Sequence, residues 1–255
     1  MIDKAKEYKA LMLDLDGTSI PSYYGGMPSK KVTEAIAKAR KKVYVGIATS
    51  RPYYDAQHII EHLKLSGPCI VNNGAQVIDA RSRKVLREQR LMREDLLAVY
   101  EETKKMKLSF YVNTMLENIP AKDISLITDK ILGAMVTNVS EKTADLLIQR
   151  ISHISTIAYS KIPSDKKERF FVGISHASAT KQHGILEVAK ILGIKTHEII
   201  GVGDGDNDFP LLMACGLRVA MGNAVDGLKE IADYVAPPVF EDGVVDIINR
   251  FVLKK

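Results

Sequence analysis

The sequence has no long apolar run, no recognisable secretory leader and only two cysteines. No apolar run approaches the roughly 18 to 20 residues that a membrane-spanning helix needs. Residues 1–7 lack the apolar centre of a signal peptide. Cys69 and Cys215 lie in apolar stretches, which predicts buried thiols rather than a disulfide or a metal pair. We therefore expect a cytoplasmic protein with no membrane partner.

Support for nucleic-acid binding is also scarce. The formal net charge is +5 and the pI is near 9.0, but lysine and arginine are spread among acidic residues. No recognised nucleic-acid motif is present, and few aromatic residues lie near the basic runs. The composition predicts no nucleic-acid partner and favours a basic surface that attracts anionic metabolites.

The two ends of the chain alternate buried strands with helices. Apolar runs predict strands at 10–15, 43–48 and 69–71, separated by helices at 30–41 and 53–64. Uninterrupted apolar strands joined by helices indicate a parallel sheet that is covered on both faces. The same alternation returns after residue 180 and continues to the last predicted strand, at 234–236.

The middle of the chain follows another pattern. Its predicted strands are more polar and more alternating, which favours an antiparallel sheet with helices on one face. These strands are predicted at 84–90, 108–113, 134–139, 156–160 and 169–175, with a loop at 118–123. The predicted fold is therefore α/β. A Rossmann-like, doubly wound parallel-sheet core (1–78 and 179–255) is interrupted by an inserted α+β module (79–178).

Two aspartates end the first apolar run. Asp14 and Asp16 stand at i and i+2, so an extended backbone would direct both carboxylates to the same face. Two adjacent carboxylates repel each other and are not buried without a compensating cation or a proton. Alone, the pair is equally compatible with an ordinary turn at Asp16 and Gly17.

Four further residues fall at comparable positions. Thr49, Lys181, Asp204 and Asp208 each follow a predicted parallel strand or begin a helix of the same domain. Ligands of open parallel sheets bind at the carboxyl edge of the strands. Carboxylate oxygens without histidine or cysteine favour a hard cation, Mg²⁺ first. A lysine and a threonine beside that cation suit phosphoryl oxygens.

Taken together, these motifs resemble those of the haloacid dehalogenase superfamily, and more closely its Cof-like sugar-phosphatase subgroup. The resemblance covers the whole chain. It rests on the run from Asp14 to Thr18, on Thr49 and Lys181, on residues 203–208, and on the segments 48–52, 73–75, 220–224 and 241–244. Members carry a cap domain between their second and third motifs, so the module at 79–178 is expected to be the cap.

The resemblance also implies roles for individual residues. Asp14 would attack phosphorus, and Asp16 would protonate the leaving group and then deprotonate water. Mg²⁺ would be held by the Asp14 side chain, the Asp16 main-chain carbonyl and the Asp204 side chain, with Asp208 supporting it. Phosphate binding would fall to Thr49, Ser50, Lys181 and Asn207, and contact with the substrate or cap to Arg51 and Asn73. Ser50 departs from the subgroup, which usually has glycine there.

The predicted function is a Mg²⁺-dependent phosphatase for a small phosphorylated metabolite such as a sugar phosphate. A carboxylate at Asp16 argues against a dehalogenase, because a halide leaves without a proton. A sugar phosphomutase, a phosphatase specialised for a sugar-acid phosphate, and a phosphate-sensing regulatory relative remain open alternatives. We expect a monomer or a weak homo-oligomer.

Overall fold

The computed structural model describes residues 7–21, 26–114, 117–121, 124, 130–164 and 166–254. The chain divides into two compact units. The core unit comprises Met1–Arg51, Asp55–Arg87 and Thr180–Lys255, and the inserted unit comprises Pro52–Tyr54 and Glu88–Ala179. Most of residues 1–7, for which no leader was expected, lie outside the described residues, as does part of the loop expected at 118–123.

Thirteen strands and eight α-helices are found in the described residues. The strands are β1 Ala10–Leu13, β2 Tyr44–Ile47, β3 Pro68–Val71, β4 Gln76–Asp79, β5 Val85–Glu88, β6 Phe110–Asn113, β7 Asn118–Pro120, β8 Gly133–Val139, β9 Ile157–Pro163, β10 Phe170–His176, β11 Ile199–Gly203, β12 Leu217–Ala220 and β13 Tyr234–Val235. The helices are α1 Lys30–Ala39, α2 Tyr53–His62, α3 Arg93–Lys105, α4 Glu141–Ile151, α5 Lys181–Leu192, α6 Phe209–Ala214, α7 Asp226–Ile231 and α8 Gly243–Ile247. None of these helices is both long and apolar enough to cross a membrane.

A five-stranded parallel sheet forms the centre of the core unit. Its order is β13-β12-β11-β1-β2, and every neighbouring pair is parallel. Strand β1, which lies between β11 and β2, is buried along its whole length, as expected for a sheet whose two faces are covered. Because β1, β2 and β11 run in one direction, their carboxyl ends meet at one edge, where Asp14, Thr49 and Asp204 follow.

The third predicted strand belongs mainly to a second sheet. β3 pairs antiparallel with β4 in a three-stranded sheet of order β3-β4-β5, and a single parallel bridge joins Ala48 to Ile70. The run expected at 84–90 as a strand of the inserted module forms β5 beside β4. For this reason residues 79–87 group with the core unit, whereas the expected module began at residue 79.

Capping residues define several helix ends. Ser29 precedes α1, and its Oγ accepts a hydrogen bond from the Val32 amide. The same hydroxyl donates to Oδ1 of Asp242 at 2.6 Å, which ties the start of α1 to the segment before α8. Helix α5 ends at Gly193, whose positive φ of 65° is typical of a left-handed cap.

The inserted unit is an antiparallel sheet with two helices. The strand order is β7-β6-β8-β10-β9. The helices α3 and α4 contribute Leu96, Val99 and Leu147 to an apolar core, and the sheet contributes Val136 and Val172. The loop predicted at 118–123 is wrong at its start, because Asn118–Pro120 pairs with β6. The predicted fold class, a parallel α/β core with an inserted antiparallel α+β module, is confirmed.

Candidate active site

The first predicted carboxylate, Asp14, follows directly after β1. Its amide donates to the carbonyl oxygen of Val202 at 3.0 Å, which extends the pairing of β1 with β11 to this residue. Its own carbonyl oxygen accepts from Ser19 Oγ at 2.7 Å. Only 5% of Asp14 is exposed. The backbone is thus fixed on both sides, and the carboxylate is held at the carboxyl edge of the parallel sheet.

Lys181 supplies the positive charge nearest to Asp14. It is the first residue of α5 and has no exposed surface. Its Nζ donates to Oδ1 of Asp14 at 2.7 Å and to Oδ1 of Asp208 at 2.5 Å. A Cβ atom on Gly74 would lie 2.1 Å from the carbonyl oxygen of Thr180. Glycine at position 74 therefore allows the loop after β3 to pack against the residue that precedes Lys181.

Asp208 orders the loop that follows β11. Its Oδ2 accepts from the amides of Asp204 at 2.9 Å and Gly205 at 3.0 Å, while Oδ1 accepts from Lys181. Both carboxylate oxygens are therefore engaged by donors of this chain. The geometry suits a side chain that positions Lys181 and Asp204, because a buried carboxylate with three donors is well compensated.

Asp204 joins the loop after β11 to the loop after β1. It is 7% exposed, and its Oδ1 accepts from Thr18 Oγ1 at 2.7 Å. Gly17 has a φ of +80°, and a Cβ atom there would lie 2.1 Å from Oδ2 of Asp204. Only glycine satisfies both the left-handed backbone and this close approach. The two carboxylates Asp14 and Asp204 are brought together by this contact.

The cluster carries more negative than positive charge. Burial raises the pKa of Asp14 well above its usual range, against the lowering effect of Lys181. Burial also raises the pKa of Asp204 to about 7, although the hydrogen bond from Thr18 acts in the opposite direction. For Lys181, burial lowers the pKa, but the charges of Asp14 and Asp208 outweigh it and the net pKa is raised. One ammonium thus faces three carboxylates.

These residues fit a divalent metal ion. One carboxylate oxygen from each of Asp14, Asp204 and Asp208 can be chosen so that all three lie within 4.8 Å of one another. An all-oxygen donor set suits a hard cation, and a divalent cation would supply the positive charge that the cluster lacks. The predicted metal-binding residues Asp14, Asp204 and Asp208 are therefore brought together in the fold.

The side chain of Asp16 lies in a different interaction, an ion pair with Arg51. Arg51 Nε donates to Oδ2 of Asp16 at 2.8 Å and Nη2 donates to Oδ1 at 2.6 Å. Arg51 is 7% exposed, and its Nη1 lies 3.8 Å from Oδ2 of Asp55. The hydrogen bond to Asp16 raises the pKa of the Arg51 guanidinium, against the opposing effect of burial. Arg51, expected at the substrate or cap, is thus tied to the second carboxylate of the first motif.

The remaining predicted residues meet around Thr49 and Ser50, just beyond β2. Thr49 is buried, and its Oγ1 accepts from the Arg51 amide at 3.1 Å. Ser50 Oγ accepts from Asn207 Nδ2 at 2.7 Å and donates to Asn73 Oδ1 at 3.3 Å. The predicted phosphate-binding residues Ser50 and Asn207 and the predicted substrate-contact residue Asn73 therefore form one hydrogen-bonded group.

Sequence reasoning gave no site role to three residues that shape this edge. Thr18 and Ser19 bond Asp204 and Asp14, as described above. Asn223 Nδ2 donates to the carbonyl oxygen of Gly17 at 2.8 Å, and its Oδ1 accepts from the Val239 amide at 2.8 Å. The available signal was position: Thr18 ends the first motif, Ser19 follows it directly, and Asn223 lies in the segment 220–224. Their partners are distant in sequence and could not be inferred from spacing.

Comparison with known proteins identifies the family. The family model for haloacid dehalogenase-like hydrolases matches residues 11–123 and 113–248. The Bacillus subtilis (strain 168) protein YxeH is 28% identical over 274 residues, which cover 97% of this chain and 100% of that protein. The 5-amino-6-(5-phospho-D-ribitylamino)uracil phosphatase YcsE of the same organism is 27% identical and covers 97% of each.

A solved structure supports the same fold. BT1666 from Bacteroides thetaiotaomicron, a phosphatase of the haloacid dehalogenase superfamily, superposes with a TM-score of 0.82 at 22% identity, covering 98% of both chains. The family match spans both halves of the core unit and the inserted unit between them. The predicted recognition is therefore confirmed. This chain belongs to the haloacid dehalogenase-like hydrolases, in their Cof-like phosphatase group.

Proposed function

We propose that this chain hydrolyses a small phosphate monoester, such as a phosphorylated sugar, through an aspartyl-phosphate formed on Asp14. The observation that carries the proposal is the buried cluster in which Lys181 Nζ lies 2.7 Å from Asp14 Oδ1, beside Asp204. A nucleophilic carboxylate, a fixed ammonium and a hard-cation site are the groups that phosphoryl transfer requires.

In the first half-reaction, a carboxylate oxygen of Asp14 forms a bond to phosphorus and the ester oxygen departs. Because Lys181 is already hydrogen-bonded to Asp14, its ammonium lies where the phosphoryl oxygens would arrive. A preorganised positive charge stabilises the charge that develops on those oxygens. Asp14, Asp204 and the Asp16 main-chain carbonyl would hold Mg²⁺, with Asp208 orienting the loop. The bound ion would supply charge neutralisation of the phosphoryl group.

Asp16 is proposed to move the protons in both half-reactions. With both of its oxygens accepting from Arg51, the side chain is held as an acceptor. That is the form that takes a proton from the water attacking the aspartyl-phosphate. To protonate the departing ester oxygen, one Asp16 oxygen must carry a proton and give up its hydrogen bond from Arg51. Arg51 would thus orient Asp16 between its two tasks.

The substrate class follows from the relatives rather than from the site alone. The Bacillus subtilis relative YcsE is named for a substrate with a phospho-D-ribityl group. A phosphorylated sugar or sugar alcohol is therefore the substrate class that we propose. The inserted unit, with its antiparallel sheet and two helices, is proposed to be the cap. Thr49 and Lys181 are proposed to bind the phosphoryl group through their side chains and Ser50 through its main-chain amide, with Asn207 beside them.

Hydrolysis of p-nitrophenyl phosphate with MgCl₂ tests the proposal. Asp14→Asn keeps the shape of the side chain but removes the nucleophile, so turnover is expected to fall below detection. Asp206→Asn is the matched control, because Asp206 is an exposed acid in the segment 203–208, and its activity is expected to equal that of the wild type. Undiminished hydrolysis by Asp14→Asn would refute the nucleophile assignment.

A second comparison tests Asp16. Asp16→Ala is expected to lower the turnover of an alkyl phosphate, such as a sugar phosphate, by about 100-fold or more. Its effect on p-nitrophenyl phosphate should be smaller, because nitrophenolate leaves without a proton. Equal losses on both substrates would count against Asp16 as the proton donor.

A further inference from the structure

Ser50 connects three loops at the carboxyl edge of the core unit. Its Oγ accepts from Asn207 Nδ2 at 2.7 Å and donates to Asn73 Oδ1 at 3.3 Å. These residues follow β2, β3 and β11. A hydroxyl has one proton and two lone pairs, so the bond from Asn207 leaves the Ser50 proton for Asn73. The result is a directed chain that runs from Asn207 through Ser50 to Asn73.

The backbone around Ser50 is held without its hydroxyl. The amide of Asn73 donates to the carbonyl oxygen of Thr49 at 3.0 Å, and the amide of Asn72 donates to that of Arg51 at 2.8 Å. The two residues that flank Ser50 are thus fixed by main-chain bonds. Asn72 and Asn73 both have positive φ values, 50° and 55°, which asparagine tolerates better than most residues. Removing the hydroxyl should therefore change side-chain orientation rather than the fold.

The direction of the chain determines what Asn73 presents. Because its Oδ1 accepts the Ser50 proton, its Nδ2 carries two N–H donors on the opposite side of the carboxamide. The Asn73 side chain is half-buried, and among the described residues no acceptor is found for its Nδ2. The same part of the chain offers no acceptor for the hydroxyl proton of Thr49, whose Oγ1 accepts from the Arg51 amide. These two donor groups, on the loops after β3 and β2, suit an oxyanion.

We propose that Ser50 is a positioning residue that fixes the Asn73 carboxamide so that its N–H groups face a bound phosphoryl oxygen. Ser50 contributes through its hydroxyl, and Asn207 acts by orienting that hydroxyl. Asn73 is then a substrate-binding residue for the anionic part of the ester. The identity of the anion rests on the proposed function, whereas the orienting role of Ser50 does not.

A double-mutant cycle on phosphate binding tests this role. The variants are Ser50→Ala, Asn73→Ala and the double variant, and the probe is inorganic phosphate, titrated by calorimetry into the full chain in MgCl₂ buffer. Each single variant is expected to weaken phosphate binding about 3- to 10-fold, the range for one hydrogen bond. The double variant is expected to match Asn73→Ala alone, because Ser50 acts through Asn73.

Two further variants separate orientation from a general structural effect. Ser50→Thr keeps a hydroxyl and is expected to bind phosphate as the wild type does. Ser66→Ala, an exposed serine in the loop before β3, is the matched control and should change neither phosphate affinity nor the thermal unfolding temperature. With p-nitrophenyl phosphate, Ser50→Ala should raise KM by the same factor as the dissociation constant of phosphate and leave kcat within about twofold.

The outcomes distinguish this inference from the proposed function. Additive losses in the double variant, or unchanged phosphate affinity in Ser50→Ala, would overturn the role of Ser50 even if the wild type hydrolyses phosphate esters. Conversely, a wild type that binds phosphate in a Ser50-dependent way but hydrolyses no ester would refute the proposed function and leave the inference standing. A wild type that binds no phosphate would refute the inference.

Discussion

Arg51 and Asp16 form a two-point ion pair, with Nε 2.8 Å from Oδ2 and Nη2 2.6 Å from Oδ1. A planar guanidinium matches the two oxygens of a carboxylate in a way that an ammonium cannot. The pair is 35 residues apart in sequence and joins the loop after β1 to the loop after β2. Arg51 therefore sets the orientation of the carboxylate that we propose to move protons.

Replacing the Arg51 guanidinium by an ammonium should keep the positive charge beside Asp16 but lose the two-point contact that orients its carboxylate. Arg51→Lys is expected to lower kcat on a sugar phosphate about 10-fold, because a lysine holds only one Asp16 oxygen at a time. The loss on p-nitrophenyl phosphate should be smaller, because its leaving group needs no proton. Steady-state kinetics on both substrates give the comparison. Arg83→Lys, at an exposed ion pair with Glu61, is the control, and a loss in it as large as in Arg51→Lys would contradict the orienting role.

Removing one carboxylate from the cluster should stabilise the metal-free protein. Burial raises the pKa of Asp14, which means that folding disfavours its ionised form at pH 7. Asp14→Asn removes this charge without changing the side-chain volume, so the thermal unfolding temperature in EDTA is expected to rise even though activity is lost. Differential scanning calorimetry measures the change.

The control for this stabilisation is again Asp206→Asn. It makes the same chemical change at an exposed position of the loop after β11 and is expected to leave the unfolding temperature unchanged. A lower unfolding temperature for Asp14→Asn than for Asp206→Asn would show that the carboxylate of Asp14 stabilises the fold through Lys181 more than its burial destabilises it.

Binding of Mg²⁺ should raise the stability of the protein. A ligand at 100 times its dissociation constant stabilises the folded state by about 2.7 kcal/mol, which corresponds to about 5 to 10 °C for a chain of this size. Asp204→Asn is expected to remove most of this shift, because Asp204 offers a carboxylate to the ion. Asp226→Asn, at a fully exposed side chain on α7, is expected to retain it. Equal shifts in the two variants would place the ion elsewhere.

The placement of the candidate site could be predicted because its residues follow strands in the sequence. Asp14, Thr49 and Asp204 each end an apolar run, and parallel strands bring such ends to one edge. The helices predicted at 30–41 and 53–64 are found as α1 and α2, because apolar spacing along the chain is a local signal. Each of these predictions depends on short-range pattern or on sheet direction.

Other features were not predicted because they depend on which strand or side chain pairs with which. The short, polar segment Asn118–Pro120 becomes a strand only through its hydrogen bonds with β6. Strand β4 was also not predicted, so the antiparallel pairing of β3 with β4 was missed, although Asn-Gly between two apolar runs is a hairpin signal. The partner of Arg51 could not be predicted either, because a long side chain can reach Asp16, a substrate or another unit.

Lys181 should be necessary for folding as well as for chemistry. Lys181→Met leaves Asp14 and Asp208 buried without their cation, and breaking a buried ion pair costs about 3 to 5 kcal/mol. Urea unfolding should therefore show a large loss of stability, and adding Asp14→Asn to Lys181→Met should recover part of it. Lys190→Met, at an exposed position of the same helix, is expected to cost little. Equal stability of Lys181→Met and Lys190→Met would contradict the role of the Lys181 ammonium in stabilising the buried carboxylates.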